Sequence, residues 1–240
     1  MKFDPALLPA RLIKRYKRFF ADVEMIGPNG PEIVTAHCPN TGSMKHCLVP
    51  GSECWISRSD NPKRKLAYSL EAVSAEYGGM AGVNTLRANK LVKEAIEEGG
   101  IEELLGYESL EAEVKFGQQN SRLDFRLSSE GKQCLVEVKN VSLGLEGGLG
   151  AFPDAVTERG RKHLQELMVA REQGYRAALF FCVQHTNIEK VQPAWEMDLK
   201  YCEVLAKAID CGVEVLVYGV RMSRQEFSLG QRLDFQLNHP

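Results

Sequence analysis

Charged side chains interrupt two apolar runs near the middle of the chain. The segment RLDFRLSSEGKQCLVEVKN predicts two adjacent strands, residues 123–127 and 134–139, joined by a Ser-Ser-Glu-Gly turn. Asp124 lies on the first strand, and Glu137 and Lys139 share one face of the second. Because burying a carboxylate costs several kcal/mol without a compensating charge, two carboxylates and a lysine must compensate one another or a bound ion.

A divalent cation would compensate the two carboxylates. Mg²⁺, or Mn²⁺, takes oxygen ligands and keeps several waters, so Asp124 and Glu137 are predicted metal ligands. Lys139 could then hold an attacking water or a developing phosphate charge, which makes all three residues catalytic candidates for phosphodiester hydrolysis. The alternative is a cross-strand ion pair between Asp124 and Lys139 beside a solvated Glu137.

The pattern of apolar residues changes near residue 80, which predicts two domains, residues 1–82 and 83–240. Short β-rich runs separated by turn clusters predict a small antiparallel barrel, for which an OB-like barrel has the right length. The second part alternates in the order α-β-β-β-α-β-α-β, typical of a mixed α/β sheet flanked by helices. Residues 140–150 read as a long glycine-rich loop.

Composition excludes several classes of protein. With 44% hydrophobic and 26% charged residues the chain has the composition of a globular protein. The apolar run 177–183 is too short to span a bilayer, and the N-terminus has no signal-peptide core, so we expect no membrane association. Seven cysteines without framework spacing favour a reducing, cytoplasmic location, and the His-Cys dipeptides at 37–38 and 46–47 lack the ligand spacing of a zinc site.

Basic and aromatic residues cluster in the first part of the chain. Residues 1–82 contain 11 Lys and Arg against 8 Asp and Glu, a charge of +3, although the whole chain carries −2. Basic groups attract phosphates and aromatic rings stack on unpaired bases, so we expect this part to bind DNA, including single-stranded DNA, or RNA, with weak sequence preference. The predicted nucleic-acid-binding residues are Arg11, Lys14, Arg15, Tyr16, Lys17, Arg18, Phe19, Lys63, Arg64 and Lys65.

Four residues are candidates for supporting the carboxylates or contacting a phosphate. Glu94 on the first helix and Glu113 on the first C-terminal strand could each add a third carboxylate. Arg159 and His163, on the helix after the glycine-rich segment, could reach a phosphate. Solvated helix and strand faces are the alternative explanation for these side chains.

The order of elements resembles a known nuclease fold. A helix, three strands with Asp on the second and Glu-x-Lys on the third, then a helix and a strand, is the arrangement of the PD-(D/E)xK restriction-endonuclease-like fold. Leu123 stands where that motif has proline, and Pro153-Asp154 comes after the Glu-x-Lys and cannot supply the dipeptide. The motif's metal-binding aspartate falls on Asp124, its second acidic position on Glu137, and its lysine on Lys139.

Longer motifs resemble one family over nearly the whole chain. FFADVE, TAHCPNTGSM, NPKRKL, VEVKNVSL, FPDAVTERGRKHL and GVEVLVY are similar to signatures of the sugar fermentation stimulation protein (SfsA) family. The resemblance implies an N-terminal OB-like domain, a C-terminal nuclease-like domain, DNA binding and a regulatory link to sugar use. We therefore expect a Mg²⁺-dependent nuclease of low sequence specificity, with a non-catalytic DNA-binding regulator of sugar metabolism genes as the alternative. A serine or cysteine hydrolase is disfavoured, since Gly42-Ser43 lacks the second glycine of a nucleophile elbow.

Overall fold

The first sheet closes into a barrel because its third and fifth strands meet. Its strands are β1 (Leu8–Tyr16), β2 (Phe20–Gly27), β3 (Gly30–His37), β4 (Glu53–Arg58), β5 (Tyr68–Ser74) and β6 (Met80–Gly82). They lie in the order β3-β2-β1-β4-β5-β6, and a short parallel pairing of β3 with β5 joins the two sides. This is the five-stranded OB-like barrel that the sequence predicts, with β6 added at one edge. The computed structural model describes residues 1–117 and 121–238.

Strand β1 was not predicted, because its residues read as a basic N-terminal segment. In the barrel Ala10 and Leu12 point inward, whereas Arg11 and Lys14 are exposed. The strand therefore alternates between core and solvent as a half-buried strand does. The basic residues of this segment consequently lie on the outer face of the barrel.

Helices cover both faces of a second, mixed sheet. Its strand order is β15-β14-β12-β9-β8-β7, in which β9, β12 and β14 run parallel. The elements of this part are α1 (Leu86–Glu97), β7 (Ser109–Phe116), β8 (Ser121–Ser129), β9 (Lys132–Val141), β10 (Leu143–Gly144), β11 (Leu149–Phe152), α2 (Glu158–Glu172), β12 (Arg176–Val183), β13 (Lys190–Pro193), α3 (Leu199–Asp210), β14 (Glu214–Met222), β15 (Phe227–Arg232) and β16 (Asp234–Phe235), with 3₁₀ turns at Glu102–Leu104 and Glu146–Gly148.

Each face of this sheet has its own hydrophobic core. On one face α1 packs with Leu91 against Val136 and other side chains of β8, β9 and β12. On the other face α2 and α3 pack with Leu164 and Leu205 against Leu179. The central strands are buried on both sides, which explains the continuous apolar run in β12. Within the described part of the chain, no helix is both long and apolar enough to cross a membrane.

The glycine-rich segment 140–150, predicted to be a loop, consists mostly of short strands and a 3₁₀ turn. It contributes β10 and β11 to a third sheet of four strands, in the order β10-β11-β13-β16. Two of its glycines are required by close packing, since a Cβ at Gly144 would lie 2.7 Å from His185 and one at Gly150 would lie 2.8 Å from Ile188. The glycines therefore serve close strand packing, and the prediction of a long loop was wrong.

Hydrogen bonds fix the barrel to the C-terminal part. Glu71 on β5 is completely buried and accepts from Arg87 of α1 at 2.7 and 2.9 Å, from Ser57 at 2.6 Å and from Asn84 at 2.8 Å. The backbone of Gly82 also donates to that of Gln184 at 2.7 Å. These buried contacts hold the two parts in one fixed arrangement.

Candidate active site

Strands β8 and β9 separate at Asp124, which puts its carboxylate between them. Their backbone pairing extends from Ser129↔Lys132 to Phe125↔Val136. Beyond that point the Asp124 side chain accepts a hydrogen bond from the Val138 backbone N–H at 2.7 Å, and its other oxygen accepts from Asn89 Nδ2 of α1 at 2.6 Å. Burial, and then the charge of Glu137, raise the pKa of Asp124 from its ordinary value of 3.8 to about 6.

Glu137 is the most deeply buried charge of this group. It lies on β9 and is 2% exposed. One carboxylate oxygen, Oε1, accepts from both Lys139 Nζ and His163 Nδ1. Burial opposes ionisation of Glu137, but these two partners outweigh burial, and the pKa of Glu137 is lowered. The expected ion pair of Asp124 with Lys139 beside a solvated Glu137 is therefore not formed, since Lys139 pairs with a buried Glu137.

The second oxygen of Glu137 has the surroundings of a cation ligand. Glu137 Oε2 is buried and has no hydrogen-bond partner among the described residues. Burying a carboxylate oxygen without a hydrogen-bond partner costs free energy unless an ion or a water molecule contacts it. With Asp124 on the neighbouring strand, the two carboxylates fit a hard divalent cation that takes only a few protein ligands. Across residues 1–117 and 121–238, no group of three His, Cys, Asp or Glu side chains is arranged to hold a metal.

A cavity of about 370 Å³ opens beside Lys139. Three groups of residues line it: the barrel segment 40–42, Asn89 of α1 with Lys139 of β9, and residues 153–157 with Arg159. The Lys139 side chain is 15% exposed, so its ammonium group pairs with Glu137 without being sealed from the cavity. A substrate in this cavity would contact both parts of the chain.

Contacts from both domains hold the barrel segment that lines the cavity. Arg15 donates to the backbone oxygens of Asn40 at 2.8 Å and Gly42 at 3.2 Å. From the other side, Asp154 accepts from the Met44 backbone N–H at 3.1 Å, and its backbone oxygen accepts from Ser43 Oγ at 2.6 Å. The cavity wall is therefore fixed by Asp154, the residue of the Pro-Asp dipeptide that is not part of the nuclease motif.

Two of the predicted supporting acids lie elsewhere. Glu94 accepts from the amino group of Met1 at 2.5 Å and has no described contact with Asp124 or Glu137. Glu113 is exposed on β7, with a positive φ of 55°. Neither one therefore adds a third carboxylate to the pair, and this prediction was wrong. Helix and strand periodicity gave no sign of the direction in which each side chain points.

Arg159 and His163 do reach the site. His163 is 4% exposed and sits behind Glu137, so it is too deep to contact a phosphate in the cavity as predicted. Arg159 lies one turn earlier on α2, is exposed, lines the cavity and donates to His163 Nε2 at 3.3 Å. Sequence reasoning missed Asn89, the Asn40–Gly42 segment and Asp154, for which the TAHCPNTGSM and FPDAVTERG motifs were the available signal.

Most of the predicted nucleic-acid-binding residues are exposed on the barrel. Arg15 and Tyr16 differ, because Arg15 uses its donors on backbone oxygens and Tyr16 stacks on Phe20 with its hydroxyl donating to Asp22 at 3.2 Å. Phe19 is 44% exposed. The exposed basic members are Arg11, Lys14, Lys17, Arg18, Lys63, Arg64 and Lys65, of which Arg64 also donates to Ser69 at 2.8 Å.

Comparison with known proteins gives consistent matches along the chain. A family model described as "Sugar fermentation stimulation protein RE domain" matches residues 86–226, and one described as "SfsA N-terminal OB domain" matches residues 13–83. Sugar fermentation stimulation protein homologs of Pseudomonas fluorescens (strain Pf0-1) and Teredinibacter turnerae are 51% and 52% identical, and the matches cover 99% and 97% of this chain and 100% and 98% of those proteins.

One similar solved structure is described as Pyrococcus furiosus SfsA in complex with Ca²⁺. It superposes with a TM-score of 0.87 at 26% sequence identity. The superposition covers 99% of this chain and 98% of that one. The arrangement of barrel and mixed sheet is therefore common to both proteins.

Proposed function

The chain belongs to the sugar fermentation stimulation protein family, and we propose that it is a DNA-binding protein whose C-terminal domain hydrolyses phosphodiester bonds with a divalent cation. The single observation that carries this proposal is the pairing of a partly buried Asp124 with a buried Glu137, from adjacent strands, beside a lysine that lines a cavity. Two carboxylates and a lysine next to a solvent-accessible cavity are the groups that phosphodiester hydrolysis requires.

Asp124 and Glu137 would hold the cation, for which Mg²⁺ or Mn²⁺ is our choice. The related P. furiosus protein is described with Ca²⁺, another hard cation that takes oxygen ligands. When bound, a divalent cation supplies charge stabilisation for the phosphate and lowers the pKa of water. It would also compensate the negative charges of the two carboxylates, which otherwise repel each other.

The remaining work of the reaction falls to this chain's own side chains. Asn89 and the Val138 N–H fix both oxygens of Asp124, so that this carboxylate needs no reorganisation during the reaction. Lys139 is placed to donate to the attacking water or to a phosphate oxygen in the cavity. Water then attacks phosphorus and gives up a proton, the bond between phosphorus and the leaving oxygen breaks, and the leaving oxygen takes up a proton. Arg159 at the cavity edge is placed to bind a neighbouring phosphate.

The barrel would guide nucleic acid to this cavity. Its exposed lysines and arginines can neutralise phosphates, and the Asn40–Gly42 segment gives the barrel a direct part in the site. Contacts to the backbone and not to base edges imply little sequence preference. The seven unpaired cysteines of the whole chain suit a cytoplasmic location.

A cleavage assay tests the proposal. Purified protein is incubated with Mg²⁺ or Mn²⁺ and a panel of single-stranded DNA, duplex DNA and RNA. We expect wild-type protein to cleave at least one substrate, Asp124→Ala and Lys139→Met to lose about 100-fold or more of the rate, and all three proteins to bind DNA. Asp210→Ala, an exposed aspartate at the end of α3, is the matched control and should cleave like wild type.

The same experiment distinguishes a nuclease from the alternative, a non-catalytic DNA-binding protein. Binding to DNA without metal-dependent cleavage of any substrate would contradict the nuclease proposal. It would favour a non-catalytic regulator of sugar metabolism genes that keeps a nuclease scaffold. Failure to bind any nucleic acid would contradict both proposals.

A further inference from the structure

His163 and Arg159 form a hydrogen-bonded chain that ends on Glu137. The two side chains are four residues apart on α2 and so lie on the same face of the helix. Arg159 Nε donates to His163 Nε2 at 3.3 Å, and His163 Nδ1 contacts Glu137 Oε1. Lys139 Nζ contacts the same oxygen and lies 3.5 Å from His163 Nδ1.

The contact with Arg159 assigns the donor and acceptor roles of the two imidazole nitrogens. An arginine Nε–H can only donate, so His163 Nε2 must be the unprotonated, accepting nitrogen. A neutral imidazole then carries its proton on Nδ1, the nitrogen that faces Glu137. His163 Nδ1 therefore donates to Glu137 Oε1, while Nε2 accepts from Arg159.

We propose that His163, in the tautomer imposed by Arg159, is a positioning residue that turns the free oxygen of Glu137 toward the cation site. Lys139 and His163 both use Oε1, which leaves Oε2 as the buried oxygen without a partner. A carboxylate anchored through one oxygen presents the other in a fixed direction, as hydrogen-bonded partners of metal ligands do in general. This inference rests on the proposed function, because it assigns Oε2 to the cation.

The first turn of α2 is built to hold this geometry. Thr157 caps the helix by accepting from the Gly160 N–H at 3.0 Å. Gly160 has no room for a side chain, since a Cβ would lie 2.8 Å from Thr157 and 3.0 Å from Tyr201 of α3. The turn that carries Arg159 is therefore pressed against α3, and His163 follows one turn later beneath Glu137.

Nuclear magnetic resonance of the cation-free protein tests the tautomer. The chemical shifts of the imidazole nitrogens report which ring nitrogen carries a proton. We expect wild-type His163 to be the Nδ1–H form and Arg159→Leu to give a mixture, whereas Lys162→Gln, an exposed neighbour on α2, should match wild type. A proton on Nε2 in wild type would overturn the proposal, and so would an unchanged tautomer in Arg159→Leu.

Calorimetry with Ca²⁺ tests the positioning. His163→Leu should lower Ca²⁺ affinity by about 10-fold or more, the usual effect of removing a partner of a metal ligand. His163→Asn places a donating amide near the position of Nδ1 and should recover most of that affinity. Equal Ca²⁺ affinity in wild type and His163→Leu, or no recovery in a folded His163→Asn, would overturn the role of His163.

The two measurements separate this inference from the proposed function. The tautomer and the Ca²⁺ affinity are measured without any cleavage reaction. An inactive protein with the expected spectra and Ca²⁺ affinities would therefore contradict only the nuclease proposal. Conversely, a protein that cleaves DNA while His163 is in the Nε2–H form would contradict only the positioning role. Arg159→Leu changes an exposed side chain, so the tautomer test does not depend on tolerance of a change in the core.

Discussion

Replacing Asp124 by asparagine should stabilise the cation-free protein at alkaline pH. Burial and the nearby Glu137 raise the pKa of Asp124 from 3.8 to about 6 in the folded state. An acid whose pKa is raised by folding contributes stability that is fully present below pH 3.8 and is lost as pH rises through about 6. At pH 8 the ionised side chain therefore costs about 3 kcal/mol, from about 1.4 kcal/mol for each tenfold change in proton affinity.

Asparagine removes this cost without removing the shape. Its carbonyl oxygen can accept from the Val138 N–H, and Asn89 can rotate its amide to present oxygen to the new NH₂ group. We expect Asp124→Asn to raise the free energy of unfolding by up to about 3 kcal/mol at pH 8 and by almost nothing near pH 4. At a saturating concentration of divalent cation, wild type should instead be more stable than Asp124→Asn, because wild type alone keeps both cation ligands.

Urea unfolding in a chelator at several pH values measures this difference. Asp210→Asn, an exposed aspartate, is the matched control and should differ little from wild type at every pH. Destabilisation by Asp124→Asn at pH 8, or a gain of the same size at pH 4 and pH 8, would refute the reasoning that a buried charge is being removed.

Three further outcomes follow from the structure. Glu71→Ala should lower the free energy of unfolding by about 3 kcal/mol in urea titrations, because it leaves the partly buried Arg87 without its carboxylate partner; an unchanged midpoint would contradict this. A thiol reagent should label Cys211 quickly and the six buried cysteines only after unfolding, so rapid labelling of two or more thiols would be inconsistent with the fold. Lys17→Asn with Arg18→Asn should weaken DNA binding and lower the salt dependence by about two charges, whereas Lys200→Asn should not; asparagine suits their positive φ values of 45° and 62°.

The two strands of the candidate site could be predicted because their signal is local. The Ser-Ser-Glu-Gly turn and the alternation of side chains fix strands β8 and β9, and a spacing of two fixes the shared face of Glu137 and Lys139. The overall division into an OB-like barrel and a mixed sheet was predicted for the same reason. Element type depends on short-range patterns that a single sequence contains.

Partners from distant segments could not be predicted. Asn89 and His163 reach the carboxylates from helices on opposite faces of the sheet, and nothing in periodicity says which helix residue faces a given strand. Arg15 looked like a phosphate contact because its neighbours are basic, yet its donors are used on the Asn40–Gly42 segment. The glycines at 144 and 150 looked like flexibility because their packing partners, His185 and Ile188, lie about 40 residues away in the sequence.

The location of a bound cation tests the central claim most directly. Crystals of the protein soaked in Mn²⁺ would give an anomalous signal at each manganese position. Our account predicts one strong peak in contact with Glu137 Oε2 and the Asp124 carboxylate, absent in Glu137→Gln. Ordered density for both carboxylates at saturating Mn²⁺, with no peak between them, would contradict it.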